Sequence, residues 1–381
     1  MAIKADTSFS LADQLFNAAS VGTLANALAK AWPQFNSAKF KKRSLAAFPE
    51  LELKQRIGHM VDQLDLQLPD NFNHAVDILE SALPEPLDPE LTDDDFGEFI
   101  WAVPAEWVAR SGCTEARLDR SLAFLKQATM RFTVEGAIRP FLQSFPEATM
   151  RFVHRCAADP NYHVRRLASE GIRPYLPWAQ RVRLPADRII EVLNILHADT
   201  TRYVTRSVAN TLNDLSRDDP ELVVNTLRDW HSRSAQAQKE LDWMTRHALR
   251  TLVKGDNREA LELLGYPSDP AFSLSAVSAS EAVVVGDALH WRGTLKSRAQ
   301  QKLKIGLRVY FLKANGEHSA KVFAVKEVDA GVGPFAIEKK ISFKPITTRA
   351  LYLGTHHVEL VVNGKARGKR SFELVADPTG H

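Results

Sequence analysis

One stretch of this chain constrains its fold more than any other, because it returns in altered form elsewhere. Ile172-Arg173-Pro174-Tyr175-Leu176 restates Ile138-Arg139-Pro140-Phe141-Leu142 at a shift of about 34, and Asp159 to Pro174 aligns with Asp199 to Asp214 at a shift of about 40. Thr245-Arg246-His247-Ala248-Leu249-Arg250-Thr251-Leu252 then repeats Thr205-Arg206-Ser207-Val208-Ala209-Asn210-Thr211-Leu212. A unit of this length holds a pair of helices, and such a pair buries its apolar stripes only against the neighbouring units.

Residues 1–265 are therefore expected to form a HEAT-like α-α superhelical repeat array. Helical spacing supports this outside the repeats, at Leu11, Leu15, Val21, Leu24 and Leu28, and again at Phe72, Ala75, Val76, Leu79 and Leu83. The prolines of Pro84-Glu85-Pro86-Leu87-Asp88-Pro89 interrupt the pattern, and Thr92-Asp93-Asp94-Asp95 reads as the next helix start. After Pro270 the period becomes alternating. Val283–285, Leu303 to Phe311, Lys321 to Val325, Ile337 to Phe343 and His357 to Val362 read as strands, so 271–377 is expected to be an all-β immunoglobulin-like sandwich. Tyr352 to His356 has the look of a tyrosine corner, and Asn363 to Arg370 that of a basic hairpin tip.

A chain of 381 residues is too long for one ordinary core, which fits two domains or an extended array. No apolar run is long enough to span a bilayer, and no secretory signal opens the sequence. Cys113 and Cys156, the only cysteines, cannot build a disulfide framework or a thiolate metal site, so a reducing cytoplasm is the expected setting. The net charge of +3 hides a gradient. Residues before Met130 carry about 7 surplus acids, Arg131 to Arg188 about 5 surplus bases, and the chain beyond Pro270 about 8. A polyanionic partner for the central and C-terminal parts would suit this, as would a solvated surface.

Phosphate loops, zinc helices, paired Cys-x-x-Cys and nucleophile elbows are all missing from the sequence, and the histidines are scattered. Carboxylates are more telling. Glu135 and Glu170 precede Pro140 and Pro174 in consecutive units, offset by one residue, and repeat architecture requires neither. Arg131, Arg139, Arg165, Arg166 and Arg173 surround them, followed by Arg206, Asn210, Asn213, Asp214 and Arg246. Some of these would belong to an inter-repeat ladder, with Asp159 pairing Arg165 or Arg166 and Asp199 pairing Arg206. Others, with Lys365, Arg367, Lys369 and Arg370, would meet phosphates. Acids within a basic surface make sense when the nucleic acid carries local positive charge, as a base alkylated on a ring nitrogen does.

The residues Ser169-Glu170-Gly171-Ile172-Arg173-Pro174 running into Leu176-Pro177-Trp178, and Ser207-Val208-Ala209-Asn210-Thr211-Leu212-Asn213-Asp214, resemble the AlkC-type DNA alkylation-repair glycosylases, relatives of the AlkD type. The likeness covers essentially the whole chain, including the order of helical array and sandwich. It implies a monofunctional glycosylase that removes 3-methyladenine and 3-methylcytosine from duplex DNA without full base flipping, working as a monomer without metal or other cofactor. It also implies that Glu135, Glu170 and Trp178 face the lesion, that Asp214 belongs to the same motif set, and that Gly136 stands where some relatives have an aromatic residue. Two rivals remain open at this stage: a non-enzymatic repeat scaffold, and a lesion sensor that binds without cleaving.

Overall fold

The computed structural model describes residues 10–91, 93, 96–345 and 350–376. The expected helix start at Thr92 falls largely outside them, since Thr92, Asp94 and Asp95 are not described. Two compact units are present, one of Met1–Asp219 with Asp229–Ala248, the other of Pro220–Arg228 with Leu249–His381.

Among its described residues the first unit is built of helices, with one isolated bridge between Gly97 and Phe132. Its central layers are the helices Pro146–Ala157, Tyr162–Glu170, Ala186–Leu196, Arg202–Leu215 and Gln238–Ala248. Tyr203, Val204, Val208, Ala209, Leu212 and Leu215 form the buried stripe of Arg202–Leu215, at the helical spacing seen in the sequence. The repeated aspartates shape each entry turn. Asp159 accepts from the Asn161 amide at 2.9 Å, and Asp199 does the same for Thr201 at 2.9 Å.

These aspartates also receive a cation from the preceding layer, but not the one expected. Lys126 pairs with Asp159 and Arg165 with Asp199, each at 2.5 Å, whereas Arg206 pairs with Asp93. The ladder therefore runs between repeats. A cation inside the same unit lies on the turn already capped by its aspartate, and the next layer is the one that brings a carboxylate alongside.

The two copies of the Ile-Arg-Pro motif part company in conformation. Arg139 and Pro140 open the helix Arg139–Ser144, where a proline in the first turn has no hydrogen bond to lose. The later copy stays irregular from Gly171 to Pro185. Its second proline, Pro177, disfavours helix at Leu176 and so ends what Pro174 began. Glu135 lies in the turn before Arg139, while Glu170 closes its helix.

In the second unit, the strands are β1 (Phe272–Ala279), β2 (Ala282–Val284), β3 (Ala288–Ser297), β4 (Gln301–Leu312), β5 (His318–Ala330), β6 (Gly333–Ser342), β7 (Gly354–Val362) and β8 (Lys365–Val375). They form two sheets, β1-β3-β6 and β2-β8-β7-β4-β5. The sandwich core includes Leu289, Trp291, Leu295, Leu303, Leu307, Ile337, Leu360 and Phe372. Three expectations change. β1 and β3 carry too many small and polar residues to read as strands, yet β3 pairs along ten positions with β6. Tyr352 is 40% exposed and no corner; His356 is buried against Phe372, Phe343 and Phe311 and bonds the Tyr352 carbonyl at 2.9 Å. The hairpin turn is only Asn363-Gly364, with φ of 47° and 81°, the left-handed pair that a tight two-residue connection demands. Its cations lie along β8 itself.

Candidate active site

Three acids and two arginines of the first unit alternate from the interior outward. Asp214, 2% exposed, accepts from Arg173 Nε at 3.0 Å and from the Tyr175 amide at 3.3 Å. Arg173 Nη1 donates to Glu170 Oε1 at 2.6 Å. Arg166 then lies 3.7 Å from both Glu170 and Glu135, stacks 4.4 Å above the Tyr203 ring, and donates to Thr133 Oγ1 at 2.5 Å. Thr133 in turn donates to Glu135 Oε2. Arg139 lies close enough to feel all three acids as well, so three guanidinium groups face three carboxylates. Glu135, whose side chain is 22% exposed against 6% for Glu170 and 2% for Asp214, is the carboxylate that meets solvent.

Burial alone would raise the Glu170 carboxyl. Arg166 and Arg173 outweigh it and hold the group below the usual glutamate range. The same carboxylates, chiefly Glu170, raise both arginines against the desolvation that would lower them. Glu170 is thus held in its charged form between the two guanidinium groups.

Glu135 opens onto a cavity of about 320 Å³ lined on its side by Thr133, Gly136, Arg166, Pro177 and Trp178. Trp178 is 73% exposed and has φ of 58°, a left-handed conformation that costs an aromatic residue roughly 1–3 kcal/mol. Its segment is tied down on both sides. Arg139, 1% exposed, donates from Nη1 to the carbonyls of Gly171 and Arg173, both at 2.9 Å, and from Nε to that of Gln180. Gln143 adds a bond to the Arg181 carbonyl at 2.9 Å. Burial, with the nearby Arg173, lowers the Arg139 guanidinium to about 10. Arg139→Met is expected to cost about 3 kcal/mol, because three carbonyls lose their donor. Urea denaturation checks this, and unchanged stability would mean those carbonyls find other partners.

The expected phosphate contacts divide accordingly. Arg139, Arg173 and Asn213 are buried, the last donating to the Ala248 carbonyl at 2.9 Å, so as placed they hold the array together and do not reach a phosphate. Arg165 belongs to the ladder. Arg131 is half-buried against the Pro84 and Gln127 carbonyls, both at 2.9 Å. Asn210 bonds His247 at 2.8 Å, and Arg246 is exposed. On β8, Lys365 pairs with Asp269, Lys369 lies 4.7 Å over Tyr310, and Arg367, Lys369 and Arg370 are exposed. Thr133, Tyr203 and the cavity wall contributed by Lys54, Phe96, Phe99 and Glu106 escaped the sequence reading, since no spacing or composition marks them. Among the described residues, no group of three or more histidines, cysteines or carboxylates could hold a metal, and no helix is long and apolar enough to cross a membrane.

A helical repeat array with a buried acid-arginine series, followed by a β-sandwich, defines a narrow class of protein. Residues 273–376 match the family described as the C-terminal Ig-like domain of the uncharacterised protein YhaZ. Over 367 residues the chain is 30% identical to the uncharacterized protein YhaZ of Bacillus subtilis (strain 168), spanning 95% of this chain and 98% of that one. It is also 30% identical to a solved structure, the Pseudomonas fluorescens alkylpurine DNA glycosylase AlkC bound to DNA containing an abasic site analog. That match has a TM-score of 0.80 and covers 96% of this chain and 100% of the other. The chain belongs to the AlkC-type family, and its HEAT-like array and Ig-like sandwich are the architecture expected from the sequence.

Proposed function

We propose that the protein is a DNA glycosylase of base excision repair, which hydrolyses the N-glycosidic bond of cationic alkylated bases, 3-methyladenine and 3-methylcytosine, in duplex DNA. The observation that carries this reading is a partly exposed carboxylate, Glu135, opening into an aromatic-lined cavity in a chain that matches AlkC over nearly its full length. An alkylated base already bears positive charge, so it leaves without a proton from a general acid. The enzyme's task is to stabilise the oxocarbenium-like sugar and aim water at it. Glu135 suits both roles. Arg166 holds it in place and is itself fixed by Glu170 and the Tyr203 ring. Trp178 offers its electron-rich face to the cationic base or the deoxyribose beside it. Water takes the sugar, so the enzyme is monofunctional.

Incubation with methylated duplex DNA tests the proposal. Free 3-methylated bases should appear, whereas tight binding with every glycosidic bond intact would leave a lesion-binding protein in its place. The sandwich is proposed to grip phosphates through β8. Replacing Lys365, Arg367, Lys369 and Arg370 by alanine should flatten the salt dependence of DNA binding, by about 0.9 in log-log slope for each phosphate that the variant no longer neutralises. An unchanged slope would take β8 out of the interface.

A further inference from the structure

A second cationic group belongs to the Trp178 segment but not to the acid-arginine series. The guanidinium carbons of Arg181 and Arg217 each lie 5.0 Å from the centre of the Tyr175 ring, so no more than about 10 Å separates the two charges. Both arginines are exposed, and neither has an ion pair among the described residues. Asp218, next to Arg217 in the chain, is engaged instead by the Tyr175 hydroxyl, which donates to its two oxygens at 2.8 and 3.0 Å. That bond fixes the ring.

All three residues hang from groups that also order the site. The Tyr175 amide donates to Asp214 Oδ2 at 3.3 Å, the Arg217 amide to the Asp214 carbonyl at 3.3 Å, and the Arg181 carbonyl accepts from Gln143 at 2.9 Å. A guanidinium resting against a ring loses rotational freedom yet keeps its N–H edge free for an anion. Two such groups suit two phosphates. A nucleic-acid strand carries one phosphate per about 3.4 Å of axis, so neighbouring phosphates fit within the span of the pair. Tyr175 and Arg181 each stand three residues from Trp178, a length of chain that reaches at most about 11 Å. The pair therefore lies about one or two nucleotides from the sugar that Trp178 and Glu135 would meet.

We propose that Arg181 and Arg217, positioned by Tyr175, clamp adjacent phosphates of the lesion strand beside the nucleotide whose base is released. This rests on the glycosylase reading given above. Without full base flipping, as the family resemblance implies, no pocket orients the nucleotide, and its sugar meets Glu135 in register only if the backbone is held. The clamp supplies that hold. Asp214, which accepts from both Arg173 and the Tyr175 amide, ties the clamp to the acid-arginine series.

Neutral phosphates test the contact on the full chain. A duplex with an abasic-site analogue, given a single methylphosphonate at each lesion-strand position in turn, should bind about 10-fold more weakly when the change falls at one or two adjacent positions beside the lesion. Replacing both Arg181 and Arg217 by alanine should abolish that position dependence and lower the log-log salt slope by about 0.9 for each phosphate no longer neutralised. Tyr175→Leu keeps both cations but removes the ring, and should cut the position-specific loss to within about 3-fold, since untethered arginines neutralise charge without selecting a phosphate. The same position dependence in the double variant as in the unaltered protein, or its full retention in Tyr175→Leu, would overturn the assignment. If the position dependence is present and needs both arginines while methylated duplex yields no free base, the glycosylase reading fails and the clamp stands. Free base from a protein that lacks the position dependence does the reverse.

Discussion

Glu135→Gln is expected to lower release of 3-methyladenine by at least about 10²-fold while leaving folding and DNA affinity nearly intact. The residue lies in a turn, is partly exposed, and borrows its order from Thr133 and Arg166, so the amide fits the same space. What disappears is the negative charge facing the cavity. Loss of that charge falls on the transition state, whose sugar is positive, and much less on the ground-state complex. Single-turnover excision at saturating enzyme reads the effect directly. A rate within about threefold of the unaltered protein would remove Glu135 from the chemistry.

Glu170→Gln is expected to reduce excision to a similar extent, but with a loss of stability of about 3 kcal/mol that Glu135→Gln does not share. Glu170 is 4% exposed and lies between Arg166 and Arg173, so its loss takes one of two carboxylate partners from each buried guanidinium, leaving Arg173 with Asp214 and Arg166 with Glu135. Arg166 would then shift toward the cavity and neutralise Glu135. The pH dependence separates the two variants. Because Glu170 titrates below its ordinary range when folded, the stability it contributes is complete above the unfolded glutamate value and disappears as pH falls through the folded one. In Glu170→Gln that part of the acid limb should be missing from a stability profile taken below pH ~4.3. An acid limb identical in both proteins would show that the ion pair contributes nothing to folding.

Much of the architecture was legible because repetition leaves a trace in composition as well as in period. The aligned aspartates at 159 and 199 predicted a ladder, and the ladder exists. Its pairing was not legible. Periodicity tells which residues share a helix face but not how far one layer is advanced on the next, and that offset sends Arg165 to Asp199, while Arg206 finds Asp93 far back in the chain. The sandwich was similarly readable where alternation was strong, in β4 and β7, and unreadable in β1, where Ser273, Ser275 and Ser278 blur the contrast between faces.

The site shows the same division. Glu135 and Glu170 drew notice because repeat packing does not require them, Arg166 as one of the arginines around them and Trp178 through the family resemblance, and the structure brings Glu135, Arg166 and Trp178 to one cavity with Glu170 directly behind. The repeat also held an unread hint about the others. Arg139 and Arg173 occupy matching places in the Ile-Arg-Pro copies, and both turn inward to serve the fold.

By itself, then, the sequence determined that this chain is a stack of helical pairs followed by a sandwich, and which residues exceed what such a stack needs. Local periodicity and turn chemistry act within a few residues and are written in order along the chain. Only the tertiary structure decided which arginines are mortar and which face the cavity. Those outcomes depend on partners roughly 30 to 40 residues away, whose meeting is set by how neighbouring layers pack.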